Sequence, residues 1–222
     1  MTVAGLCKRV SSRGFTLLEQ GFALDARPHA VSDVRGRVKA VSWVHDSSTS
    51  LMIPSLPKVD DYLGLVRSQN YSFLMQDGAA VQILYQYDGA QITRHRLLYW
   101  PCPFDAVEVF DYEIPVIDVF ETLFLENVRT EAILRGLLRF DFAPDDAGEL
   151  HPPSHLTLAA PDCRVPVHAP LSFDTFMRFL LENFYPQAWM DKKVKAHLAF
   201  AQETNCLRVE DNQRVHLAWQ YG

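Results

Sequence analysis

The chain lacks most of the short patterns by which enzymes and secreted or membrane proteins can be read from sequence. Its four cysteines, Cys7, Cys102, Cys163 and Cys206, form no CxxC pair, which leaves a zinc ribbon or a thioredoxin-like redox site without support. No stretch approaches the roughly 18 apolar residues that a membrane span requires. Lys8 and Arg9 follow a short apolar stretch, the reverse of the order in a secretory signal. There is no GxGxxG or P-loop pattern, no GxSxG elbow, no HExxH helix and no cysteine in a recognised nucleophile context. Scattered thiols without a targeting or spanning segment predict a soluble, cytoplasmic protein with no membrane partner.

What is present describes a folded domain. Over 222 residues, 48% are hydrophobic and 22% charged, which excludes a disordered or fibrous chain. This length fits one large domain, and no repeat or low-complexity linker divides it. The net charge of −6, from 21 basic and 27 acidic residues, weighs against a protein built around a basic nucleic-acid face. That charge is uneven. The first 50 residues carry seven Lys/Arg against four Asp/Glu, whereas Phe104 to Glu126 holds seven acids and no base.

The clearest local signal lies between Tyr71 and Tyr99. Three alternating runs are separated by Asp77-Gly78 and Asp88-Gly89, and Asp-Gly favours hairpin turns whose central residues take positive φ. A three-stranded antiparallel meander is predicted. Other predicted strands are Val38–His45, Leu137–Phe142 and a hairpin of His155–Ala160 with Cys163–His168, in which Pro166 marks an edge. Predicted helices are Phe15–Leu24, with Phe15, Leu18 and Phe22 inward and Leu17 as a further candidate for that side, then Pro57–Arg67, a helix capped by Ser172 and ended by Pro186, and Ala188 to about Phe200. Phe104–Glu126 reads as a half-buried strand followed by an amphipathic helix, or as an acidic face for a basic partner or metal. The tail from Cys206 to Trp219 reads as a last hairpin or a helix.

Two constellations could carry chemistry. His151-Pro-Pro-Ser-His155 cannot be a continuous helix, because Pro152 and Pro153 would break its bonds. At a loop-to-strand junction the two imidazoles can still converge, with Asp141 or His168 from neighbouring strands beside them. That set is the candidate for catalytic acid–base work or a weak metal site, although the more economical role for such histidines is bonding backbone. The second constellation is Arg94-His95-Arg96. On a strand the two arginines share a face and His95 points with Leu97 and Tyr99 to the other. Such a pair either grips phosphate or carboxylate, with Arg139 and Arg164 enlarging the anion site, or pairs with acids of the Phe104–Glu126 stretch. The ion-pair alternative is favoured.

Several runs taken together resemble a known family. Asp61–Gly78, His95–Phe104, Leu138–Phe142, His151–Leu158, Cys163–Val167 and Phe176–Pro186 follow, in order, the motifs of the uncharacterised prokaryotic domain of unknown function 2290, over about residues 55 to 190. The resemblance implies no activity, and no cofactor follows from it. The expected fold is α+β, a mainly antiparallel sheet of six to eight strands with helices packed on one face. The expected function is a non-catalytic interaction or accessory protein of a bacterial multi-gene system, with a protein partner. The alternatives are a metal-assisted hydrolase or nuclease at His151 and His155, and a nucleic-acid binder using the strand arginines.

Overall fold

The runs flanking the two Asp-Gly pairs fold as the expected meander, and it forms the middle of a nine-stranded antiparallel sheet. The computed structural model describes residues 2–43, 58–104, 118, 135–158, 160, 162–196, 198 and 204–219. Its strands are β1 (Ala23–Ala26), β2 (His29–Arg35), β3 (Val38–Trp43), β4 (Phe73–Met75), β5 (Ala80–Asp88), β6 (Gln91–Trp100), β7 (Leu138–Phe142), β8 (Ser154–Leu158) and β9 (Arg164–Pro166). The main path runs β1-β4-β5-β6-β7-β8-β9. The free side of β5 is shared: β4 pairs with its first residues and β3 with Tyr85–Asp88, and β2 lies beyond β3. The turn chemistry differs from expectation. Only Gly78 (φ 79°) and Gly89 (φ 60°) take the left-handed conformation, and neither Asp77 nor Asp88 does. Asp77 instead accepts the Ala79 N–H at 3.0 Å, so each turn is closed by one left-handed glycine.

Alternation divides the sheet into two faces. Val81, Ile83 and Tyr85 of β5, Leu97 and Tyr99 of β6, Phe140 of β7 and Leu156 of β8 join the larger core. Against it pack α1 (Val3–Glu19), through Leu6, Val10 and Leu17, and α3 (Phe173–Phe184), through Phe176, Met177, Leu180 and Leu181. The predicted helix at Phe15–Leu24 is corrected by this arrangement. The helix starts at Val3, capped by Thr2 and ended at Glu19, and Phe15 is exposed while Leu6, Val10 and Leu17 carry the buried stripe. α3 is capped by Ser172 and stops before Pro186, as predicted.

On the opposite face, α2 (Val59–Arg67) brings Tyr62, Leu63, Leu65 and Val66 against Leu74, Ala80, Leu98 and Trp100. The main helical layer therefore occupies one face, and among the described residues α2 covers one end of the other. The predicted Ala188–Phe200 helix is interrupted. Asp191 accepts the N–H groups of Lys193 and Val194, capping a new turn and separating α4 (Pro186–Met190) from α5 (Lys192–Lys195). No tail hairpin forms among the described residues. Instead a short α6 (Val209–Asn212) precedes one parallel bridge from Leu217 to Val167, beyond β9. Pro166 does sit on the last strand of the path, as expected. The acidic stretch, apart from Phe104 and Asp118, and the predicted loop at 46–50 lie outside the described residues. None of the described helices is long and apolar enough to cross a membrane.

Candidate functional site

The part of the second sheet face that α2 leaves uncovered is a cleft of about 420 Å³. Strand register builds it. Arg96 of β6 lies opposite Asp141 of β7, which lies opposite His155 of β8. One row along, Gln82, Leu98, Arg139, Thr157 and Arg164 stand side by side across β5 to β9. Arg94, Arg96, Arg139, Arg164, Asp141, His151 and His155 all line this one cleft. Period-2 alternation places Arg94 and Arg96 there and His95 in the core, where it is 1% exposed.

Asp141 is the electrostatic centre. Its Oδ1 accepts from Arg96 Nε at 3.2 Å and its Oδ2 from Arg139 Nε at 2.5 Å. Burial alone would raise its pKa, but Arg139 and Arg96 outweigh that and hold it below the usual carboxylate value. Arg94 pairs with Asp146, and Arg164 with the exposed Asp162 at 3.3 Å. Among the described residues, the ion-pair expectation for the arginines is met by partners on β7, which strand order puts beside β6, and in the loop after it. The acidic stretch, apart from Phe104 and Asp118, lies outside the described residues.

The two histidines converge as the loop-to-strand geometry allows, with ring centroids 4.7 Å apart and nearly perpendicular. His155 is 2% exposed and its Nδ1 donates to the Pro152 carbonyl at 2.9 Å. That bond leaves Nε2 unprotonated in the neutral ring, 3.7 Å from Asp141 Oδ2. Burial pushes the His155 pKa down to about 4, and burial also lowers that of His151. His168 does not join them. It packs edge-on against Trp219, with ring centroids 4.1 Å apart, away from the cleft.

The arrangement fits a metal poorly. Both oxygens of Asp141 are engaged by guanidinium groups, and one nitrogen of His155 is committed to backbone. Among the described residues no three His, Cys, Asp or Glu side chains converge as a ligand set. What the cleft offers is positive charge. Among the described residues four arginines face two lining carboxylates, Asp141 and Asp146, around neutral imidazoles, and Asp162 outside the lining pairs with Arg164. Gln82, Leu84, Gln86 and Asp146 also line the cleft, although no sequence motif marks them. Their signal was present: Gln82, Leu84 and Gln86 alternate with Val81, Ile83 and Tyr85 and so had to face away from the core.

Residues 26–219 match the family described as an uncharacterized conserved protein, DUF2290. The chain belongs to that family. The match extends beyond residues 55 to 190 at both ends and includes every cleft residue named above. No curated protein and no solved structure matches the chain. Membership of DUF2290 brings no assigned function, so the chemistry of the cleft has to be argued from its own residues.

Proposed function

We propose that this DUF2290 protein is a non-catalytic accessory protein that binds a phosphate-bearing ligand in the arginine-lined cleft. The observation that carries this reading is the convergence of Arg94, Arg96, Arg139 and Arg164, distant in sequence, on one cleft with a surplus of positive charge. Guanidinium groups match phosphate oxygens in planar, paired hydrogen bonds, and a recess with low-dielectric walls strengthens them. Asp141 holds Arg96 and Arg139 in place without saturating either fork, since each is bonded to it through Nε. The four free thiols support a reducing cytoplasmic setting, and an accessory role implies a protein partner.

Hydrolase chemistry with a metal is less well supported, because a metal at Asp141 would have to displace two arginines. A nucleic-acid ligand is the polymeric form of the same phosphate chemistry, and its mark is a steep dependence of affinity on salt. Calorimetric titration with inorganic phosphate and pyrophosphate tests the proposal. Arg139→Ala and Arg96→Ala should each weaken binding roughly 10- to 100-fold, the range of a hydrogen bond to a charged group. Absent binding by the wild type, or binding undiminished in both variants, would overturn it.

A further inference from the structure

Resting on the anion-binding reading, we infer that the ligand is a nucleotide unit, with its phosphate at Arg96, Arg139 and Arg164 and its base edge at Gln82. The added observation is a buried hydrogen-bonding atom that the fold itself leaves idle. Gln82 lines the cleft and is 1% exposed, and its Nε2 donates to the Asn70 carbonyl at 2.7 Å. That bond fixes the amide so that Oε1 is the remaining end, and Oε1 has no partner among the described residues. A buried polar atom left unsatisfied is costly, so a ligand that bonds this oxygen recovers that cost on binding.

Register sets the dimensions of such a ligand. Gln82 and Arg139 lie two strand spacings apart, roughly 10 Å, which is the span from the phosphate of a nucleotide to the far edge of its base. Leu84, half-buried on the cleft wall beside Gln82 on β5 and opposite Arg96, supplies apolar surface next to the base end. An acceptor at Gln82 requires an N–H or O–H on the ligand, which a base amino or imino group provides. Inorganic phosphate would leave Gln82 unmet. A dicarboxylate would bring acceptor against acceptor, and a pentose phosphate is too short to reach. A free nucleotide and the 5′-phosphorylated end of a strand present the same unit.

Titrating the full-length wild-type protein with inorganic phosphate, ribose 5-phosphate, the nucleoside 5′-monophosphates and a 5′-phosphorylated trinucleotide tests this. At least one nucleoside monophosphate, or the trinucleotide, should bind about tenfold more tightly than ribose 5-phosphate. Whichever of the two binds more tightly assigns the unit to free nucleotide or strand end. Gln82→Leu should remove that margin while leaving the affinity for inorganic phosphate unchanged, which also shows that the variant cleft is intact. Nucleotides no tighter than ribose 5-phosphate on the wild type would overturn the inference, and this comparison needs no variant. A margin that survives in Gln82→Leu would overturn it equally. Loss of all phosphate binding, by contrast, would refute the anion-binding reading beneath it.

Discussion

Asp141 sets the charge of the cleft, and its substitution separates two effects that usually move together. Asp141→Asn keeps the shape but removes the anion that competes with a ligand for Arg96 and Arg139. Stability should fall by about 2–3 kcal/mol, since removing one partner of a largely buried ion network leaves the others uncompensated. Phosphate affinity should rise several-fold in the same variant. Urea titration and calorimetry read the two effects independently, and an affinity that fell instead would mean that Asp141 matters by holding the arginines in position. Alternation was enough to put Arg94 and Arg96 on one face in the sequence. Their counter-ions were not legible, because Asp141 and Asp146 lie some 45 and 52 residues away and meet them only through the register of β7 with β6 and the turn that follows β7. His155 was legible as a neighbour of His151, and its tautomer was not, because the Pro152 carbonyl that fixes it is a detail of the folded loop.

Among the elements, α1 shows how packing overrides a local pattern. Its buried stripe, Leu6, Val10 and Leu17, is interrupted by Lys8, Arg9 and the serines at 11 and 12, so the sequence suggests a shorter helix farther along. The helix also passes very close to the sheet at Gly14, where an added Cβ would sit 2.7 Å from Phe73 Cε1 and 2.9 Å from Ala26 Cβ. Gly14→Ala should therefore destabilise the fold by about 1–3 kcal/mol despite alanine's better helix propensity. A chemical denaturation curve decides this, and a stabilised variant would show that the helix can shift without penalty. Arg13, one residue earlier, is buried and donates to the carbonyls of Val194 and Ala196, tying the first helix to α5. The meander was readable because its signals are local, two glycine turns and period-2 runs. β1 and β2 were not, since short strands such as Ala23–Ala26 gain their identity from partners far along the chain.

For the molecule as a whole, three buried histidines make stability depend on pH in one direction. Burial pushes His29, His95 and His155 from 6.5 down to about 4. Between those values the unfolded chain takes up protons that the folded protein refuses, so stability falls as pH drops from about 6.5 toward 4. Asp141, held below its usual value chiefly by Arg139 and Arg96 against the effect of burial, adds a further loss at still lower pH. The denaturation midpoint should decline steadily from pH 7 to 4.5. A flat profile over that range would mean that these rings protonate freely in the folded state.

The sequence by itself determined the class of fold, the central meander, the β8–β9 hairpin with its edge proline, the α3 boundaries and the face on which each β6 side chain lies. All of these follow from backbone preferences and side-chain periods that act over a few residues. Tertiary structure alone decided that strands from three parts of the chain bring Arg94, Arg96, Arg139, Arg164, Asp141, His151 and His155 to one cleft and leave His168 outside it. Strand order and register determine such a meeting. They are fixed by burying both faces of the sheet at once, a property of the whole chain that no local window contains.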